Sequence, residues 1–344
     1  MELMKDIASF NAILAKYKEP ALIRSLWQLI NTAIPFAAVE FAMHALYHYH
    51  HPWIALALAV PAAGFLMRLF IIQHDCGHGS FFKSQKANDL LGAVIGVVSL
   101  TPYSYWRQTH AIHHSTSGNL TRRGWGDIDT KTLREYAALS KWGRLKYRIY
   151  RSVPVMFIIG PSYHFLINHR IPVIIPPEWK QERLSILLND LVLAGILAAA
   201  AYTVGLWPFL QVQLPVSMVT ATVGVWLFYV QHQFEGTYWR PDTNWDLAKA
   251  SLEGSSYFEL PAVLQWITGN IGFHHIHHLN SRIPNYNLPK AMKENPEFQK
   301  VTKLTMWNSF KCVTLALWDE EKGKLIDFSA AAEIMRRLPA RTAA

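Results

Sequence analysis

The chain has 344 residues, 51% of them hydrophobic and only 17% charged, against roughly 25% charged in a soluble domain. That deficit argues against an ordinary soluble protein and for a bilayer. Two cysteines, Cys76 and Cys312, rule out a disulfide framework and a cysteine-built zinc or iron–sulfur site, while the net charge of +9 admits nucleic acid, an anionic membrane or an acidic protein as partner until the charges are placed along the chain.

Residues 1–28 form an amphipathic N-terminal segment without the apolar run and small-residue cleavage site of a secretory signal, so the mature chain is expected to start here. Ile7, Phe10 and Leu14 recur at helical spacing beside Lys5, Lys16 and Lys18. This reads either as a short helix lying on a membrane surface or as an ordinary amphipathic helix.

Four stretches, 29–48, 53–73, 185–206 and 212–231, are apolar and long enough to cross about 30 Å of hydrocarbon. They pair as two hairpins, with connectors at Tyr49–Trp53 and Trp207–Gln211 that lack Lys and Arg and carry interfacial Trp. Placing these connectors outside leaves every Lys and Arg but one on the cytoplasmic side, with both termini. The exception is Arg68, close enough to the inner end of its span to snorkel. Such a distribution accounts for the charge without nucleic acid. Residues 89–104 are too short an apolar run and are interrupted by Gly92 and Gly96; residues 153–176 are broken by Pro154, Pro161, Pro172 and Pro176. Neither is expected to span. The fold class is therefore all-α: one polytopic domain over 1–344, four transmembrane helices and a cytosolic helical cap, with 300–344 a C-terminal tail.

Histidines carry the chemistry. His74 and His78 lie in HDCGH at the inner mouth of the second span, His110, His113 and His114 in HAIHH, and His274, His277 and His278 in HHIHH. Spacings of three and four bring imidazoles onto one helical face. Eight are too many for one ion of about four ligands and suit two. His232 in VQHQFE, where the fourth span emerges, is a ninth candidate. His275 sits about 100° from His274, off the ligand face, and is excluded. His44, His48, His50 and His51 fall at the outer end of the first span, a membrane thickness away, and read as an interfacial belt.

Metal-bound imidazoles need acceptors for their other nitrogen; Asp75, Asp127, Asp129 and Glu235 are candidates. Asp127 and Asp129 could equally pair with Arg122 or Arg123. Asn270, four residues before His274, would share the ligand face if that helix continues upstream and could hold a metal-bound water, or it is a cap or turn residue. An all-imidazole set suits iron, copper or zinc rather than magnesium or calcium. With few carboxylates in the boxes, a hydrolytic two-metal site fits less well than an oxygen-activating pair at the bilayer surface.

HDCGHGSFF, HAIHHSTSGNLTRRGWGDI, QHQFE and WITGNIGFHHIHHLNSRIPNYNL resemble the membrane fatty acid desaturases, most of all bacterial acyl-lipid enzymes of the Δ5 and Δ12 type. The likeness runs from the second span to Leu288. It implies two iron ions on the box histidines and His232, O2 as co-substrate, and insertion of a cis double bond into the fatty acyl chain of a membrane lipid in a bacterial inner membrane. An apolar tunnel for that chain is expected to draw on aromatics such as Trp106 and Trp266. Neither an HPGG heme motif nor a GxGxxG flavin segment occurs, so electrons are expected from a separate ferredoxin or cytochrome b5-like protein. A hydroxylase, ketolase or acetylenase would use the same ligands. A divalent-metal transporter would instead place its polar groups at the bilayer midplane.

Overall fold

The computed structural model describes residues 6–172 and 175–337. Helices dominate, and four of them are long and apolar enough to cross a membrane: Leu22–His48, Pro52–Gly77, Lys180–Thr203 and Leu206–His232. The chain is an all-α polytopic membrane protein. The first, third and fourth helices begin a turn or more before the expected apolar runs and the second ends a turn after its run, because helical hydrogen bonding continues into residues beyond the hydrocarbon, whereas the third stops at Thr203, short of the expected 206.

The first hairpin turns tightly at Tyr49–His51, with His50 left-handed (φ 63°) and Pro52 opening the second span, where its missing N–H is no loss. In the second hairpin the expected connector at Trp207–Gln211 is itself helical, the opening turn of the fourth span. The turn lies earlier, at Val204–Gly205. Gly205 (φ 88°) donates its N–H back to the Ala200 carbonyl at 2.8 Å, a glycine-terminated helix end that the aromatic signal of Trp207 concealed.

The second span is the centre of the bundle, packing on the first and the fourth. Ala55, Ala59, Ala62 and Ala63 are buried there, and their small side chains let the helices approach closely. Arg68 does not snorkel into the lipid interface. It is buried, donates to Thr32 Oγ1 at 3.0 Å and to the Trp266 carbonyl, and lies 4.0 Å from the Trp266 ring centroid. Partners inside the protein stabilise this cation better than a long reach to water.

Among the described residues, neither ambiguous stretch forms a helix long and apolar enough to span. The helix Gln85–Val98 is about 21 Å long, short of the hydrocarbon thickness. It rests on the second span, with the Tyr103 ring filling the place of a side chain at Gly92. Between 153 and 176 the chain forms one π turn, Val155–Ile159, a short helix, Gly160–Leu166, and a 3-10 turn, Asn168–Arg170; residues 173–174 lie outside the described residues.

The N-terminal helix takes the second of its two expected readings, and the C-terminal segment departs from expectation. Helix Ile7–Leu14 turns its apolar face to protein rather than to lipid. Phe10, Leu14 and Tyr17 are buried against Ile276, Leu279 and Phe298, which ties the N-terminus to the third histidine box. Full burial of a Leu or Phe is worth about 1.5–3 kcal/mol, so this docking is a substantial part of that box's support. Residues 303–337 are folded into the cap and do not trail from it. Strand Lys303–Thr305 pairs in parallel with Tyr257–Glu259, and Leu317–Asp319 pairs with Lys131–Thr132 and Lys324–Ile326.

Candidate metal centre

All nine candidate histidines converge. The second span ends at Gly77, and its last turn presents His74, with His78 as the capping residue. Helix Tyr103–Thr116 carries His110, His113 and His114, the fourth span ends on His232, and the six-residue helix His274–Leu279 supplies His274, His277 and His278. Because His74 and His232 close the second and fourth spans, the ends of both hairpins that meet the cap lie on one side.

The rings form two groups, each with ligand nitrogens within 4.8 Å of one another: His74, His78, His110, His114 and His277, and His113, His232, His274 and His278. Both the second and third boxes are shared between the groups. His110 and His114, one turn apart, face one group, and His113, offset on the same helix, faces the other. Within the first, His114 Nε2 is 3.1 Å from His110 Nε2 and 3.0 Å from His277 Nε2. Within the second, His232 Nε2 is 3.2 Å from His113 Nε2 and 2.9 Å from His274 Nε2. The groups adjoin: the His114 and His278 rings stack at 4.2 Å.

These nitrogens fit metal ions. His74 Nε2 and His78 Nε2 are buried without a hydrogen-bond partner, a costly arrangement unless something accepts their lone pairs. Burial first, and neighbouring imidazoles second, hold His78, His110, His114, His274, His277 and His278 well below the usual histidine range. They are neutral near pH 7, the form that ligates. An all-imidazole set of nine suits iron, copper or zinc.

The outer nitrogens are held from behind. His113 Nδ1 lies 2.6 Å from Asp127 Oδ1, His74 Nδ1 lies 3.2 Å from Asp75 Oδ1, and His232 Nδ1 lies 3.1 Å from the Gly254 carbonyl. Two of the sequence candidates do not take part. Glu235 is exposed and pairs with Lys324 at 2.6 Å, because the chain leaves helical geometry at Gln233 and Glu235 falls outside the ligand face. Asp129 pairs with Lys131 at 3.1 Å. Asn270 is a turn residue. Helix Ala262–Ile267 stops before it, its own φ is 58°, and its side chain makes no hydrogen bond to a ligand histidine.

His275 is buried but belongs to neither group. Its ring sits near the backbone carbonyls of Phe298 and Ser256, and burial pushes it down to about 3. Trp106 stacks on His110 at 4.5 Å and 17°, with Phe70 edge-on to it at 5.4 Å. Trp266 is exposed and contacts no histidine of either group; its partners are Phe65 and Arg68. Phe70 also borders an apolar pocket among Leu66, Met67, Ala221, Gly224 and Phe165, so its ring stands between that pocket and Trp106.

Sequence reasoning missed Asn285, whose backbone N–H and side-chain amide both donate to Asp75 Oδ2, at 2.7 and 2.8 Å. Gln28 of the first span donates in turn to Asn285 Oδ1. The segment NSRIPNYNL had marked Asn285 only as part of a pattern. The Gly254 carbonyl behind His232 has no sequence signal at all.

A profile of the fatty acid desaturase family matches residues 51–310. A fatty acid desaturase of Bacillus subtilis is 43% identical over 338 residues, covering 98% of this chain and 93% of its own. Two further relatives come from Synechocystis sp. An sn-1 oleoyl-lipid 12-desaturase is 28% identical over 71% of this chain and 70% of its own. An sn-1 acyl-lipid omega-3 desaturase (ferredoxin) is 28% identical over 87% and 84%.

Proposed function

The chain belongs to the fatty acid desaturase family, and on that premise we propose an O2-dependent reaction at a pair of irons, five histidines on one and four on the other, acting on the acyl chain of a membrane lipid. The observation that carries this is the division of nine buried imidazoles into two adjoining groups. A single ion could not use them all. Bound iron would supply the oxidant: O2, two electrons and two protons would take one hydrogen from each of two neighbouring methylenes, giving a cis double bond and two waters.

The protein's own share is geometric. The apolar pocket bordered by Phe70, Met67 and Gly224 offers an acyl chain a dry path between the second and fourth spans. Trp106, stacked on His110, closes the path beside the five-histidine group and keeps water out. Holding a methylene pair against that wall is the positioning that an entropy-limited reaction needs. Asp127, Asp75 and the Gly254 carbonyl fix the ring orientation of their histidines.

Positive-inside placement of Lys and Arg supports a multi-pass topology with the cap and both termini in the cytoplasm. Electrons would come from a ferredoxin-type or cytochrome b5-like donor docking on the basic cap. The named ferredoxin dependence of a relative supports the first. Raising salt should slow turnover with such a donor.

Expression in a host followed by fatty-acid profiling of its membranes tests the whole reading, with His78→Ala as control. A new acyl species two hydrogens lighter, present only with the native chain, together with about two irons per purified chain, is the expected result. A product heavier by one oxygen, or an unchanged profile, would overturn it.

A further inference from the structure

Helix Lys141–Tyr150, KWGRLKYRIY, has no part in the site described above. Its inner face is fixed: Tyr147 is buried against Tyr136, Leu317 and Ile326 in the cap, and its hydroxyl donates to the Ala316 carbonyl at 2.7 Å. The opposite face is bare. Trp142, Leu145 and Ile149, at helical spacing, are all exposed, Trp142 by 73%.

Two observations indicate what covers this face. The apolar surface is continuous with that of the spans. It runs on through exposed Val153, Ile158 and Ile159, and beside it through Trp307 and Phe310, where the Phe310 ring lies 5.2 Å from Trp226 of the fourth span. The charge is also one-sided. Lys141, Arg144, Lys146, Arg148 and Arg151 lie on or just after the helix, and no Asp or Glu occurs between Glu135 and Glu178. Lys141, Arg144 and Arg148 line a shallow hollow with Tyr136 and Leu145. Arg144 and Arg148 are pinned there by the Leu139 and Ala137 carbonyls and the Tyr136 hydroxyl, whereas Lys141 and Lys146 have no anionic partner among the described residues.

We propose that this helix is an interfacial foot resting in the headgroup layer of the bilayer that the spans cross, with the hollow of Lys141, Arg144 and Arg148 holding the phosphate of an anionic phospholipid. Trp142, Leu145 and Ile149 enter the acyl boundary, and Lys146 reaches the headgroups from the other flank. An apolar stripe edged by cations is the pattern that binds such a surface, and each cation near it adds to the attraction for anionic lipid. The foot fixes the height of the cap, and with it the histidines, above the hydrocarbon.

The test uses the full chain in nanodiscs of phosphatidylcholine with and without phosphatidylglycerol. Cys76 and Cys312 are buried, so a nitroxide can be placed selectively at Leu145→Cys, with Glu321→Cys, in an exposed turn of the cap, as the aqueous reference. The label at 145 should be relaxed by oxygen dissolved in lipid and shielded from a water-soluble nickel chelate, with the reverse at 321. Retention of phosphatidylglycerol by the purified chain should fall about tenfold in the K141Q/K146Q variant. Equal nickel accessibility at 145 and 321 would overturn the proposal. So would a label at 145 already shielded in detergent in a concentration-dependent way, which would mean that a second copy covers the face, or phosphatidylglycerol retention unchanged in K141Q/K146Q.

Discussion

Asp127 Oδ1 lies 2.6 Å from His113 Nδ1, and both side chains are buried. This carboxylate makes Nδ1 the protonated nitrogen and turns Nε2 toward His232 and the four-histidine group. The loop that brings it there is seated closely. A side chain at Gly126 (φ 74°) would meet the Thr109 carbonyl at 2.7 Å and His113 Cβ at 3.1 Å, so glycine is required by both space and conformation.

Asp127→Asn should therefore cost about 10- to 100-fold in activity or in metal affinity, the usual penalty for removing a carboxylate behind a ligand histidine. Glu235→Gln, altering an exposed residue paired with Lys324, should change neither. Iron per chain and turnover, measured side by side, check both. Equal effects from the two variants would contradict the assignment.

Spacing made eight of the nine candidate ligands readable, because i, i+3 and i+4 positions must share a face whatever the tertiary fold, and His232 was marked instead by its place where the fourth span ends. Their division was not readable. Whether His113 joins His110 or His232 depends on how the second box lies against the fourth span, and nothing in HAIHH records that. The N-terminal helix shows a related gap: the spacing of Ile7, Phe10 and Leu14 marks an apolar face but not whether lipid or protein covers it, and here Phe298 and Ile276 do. Strands of three residues such as Leu317–Asp319 carry too little periodicity to be seen. Glu235 failed because closeness in sequence to His232 was read as closeness in space, across a helix end.

His277 and His275 separate ligation from mere presence in a box. His277→Ala should abolish activity and lower bound iron while membrane insertion persists, since its Nε2 faces His114 at 3.0 Å. His275→Gln should keep the iron stoichiometry, because His275 contacts neither group and packs near Tyr257 and Phe298. Iron analysis of both purified variants decides; iron loss in His275→Gln alone would reverse the roles.

Acid should destabilise the metal-free protein. His78, His110, His114, His274, His277 and His278 are held well below 6.5 and His275 at about 3, each chiefly by burial. The unfolded chain takes up these protons as pH falls past about 6.5 while the native state resists, so the unfolded state binds more protons and stability drops with falling pH. The melting temperature of metal-stripped enzyme in detergent should be nearly flat from pH 9 to pH 7 and then decline steadily to pH 5. Restoring iron should raise the whole curve, because the metal binds only the native, neutral imidazoles. A flat profile from pH 7 to pH 5 would mean that the histidine interior is hydrated.

Arg68 offers a test of how the bundle is held beneath the cap. Its guanidinium joins three elements: it donates to Thr32 on the first span, to the Trp266 carbonyl of the helix that precedes the third box, and lies over the Trp266 ring. Arg68→Ala removes a buried hydrogen-bond donor from two acceptors and a cation from an aromatic face, at a cost of about 1–3 kcal/mol. Arg68→Lys keeps the charge but offers no planar fork to span Thr32 and Trp266, so it should recover only part of the loss. Trp266→Phe should be milder than Arg68→Ala, since the backbone carbonyl stays and only the ring contact weakens. Melting temperatures in detergent should then rank native, Trp266→Phe, Arg68→Lys and Arg68→Ala in descending order. An Arg68→Ala protein as stable as the native chain would show that the cation reaches lipid headgroups in the membrane and that the bundle does not depend on it.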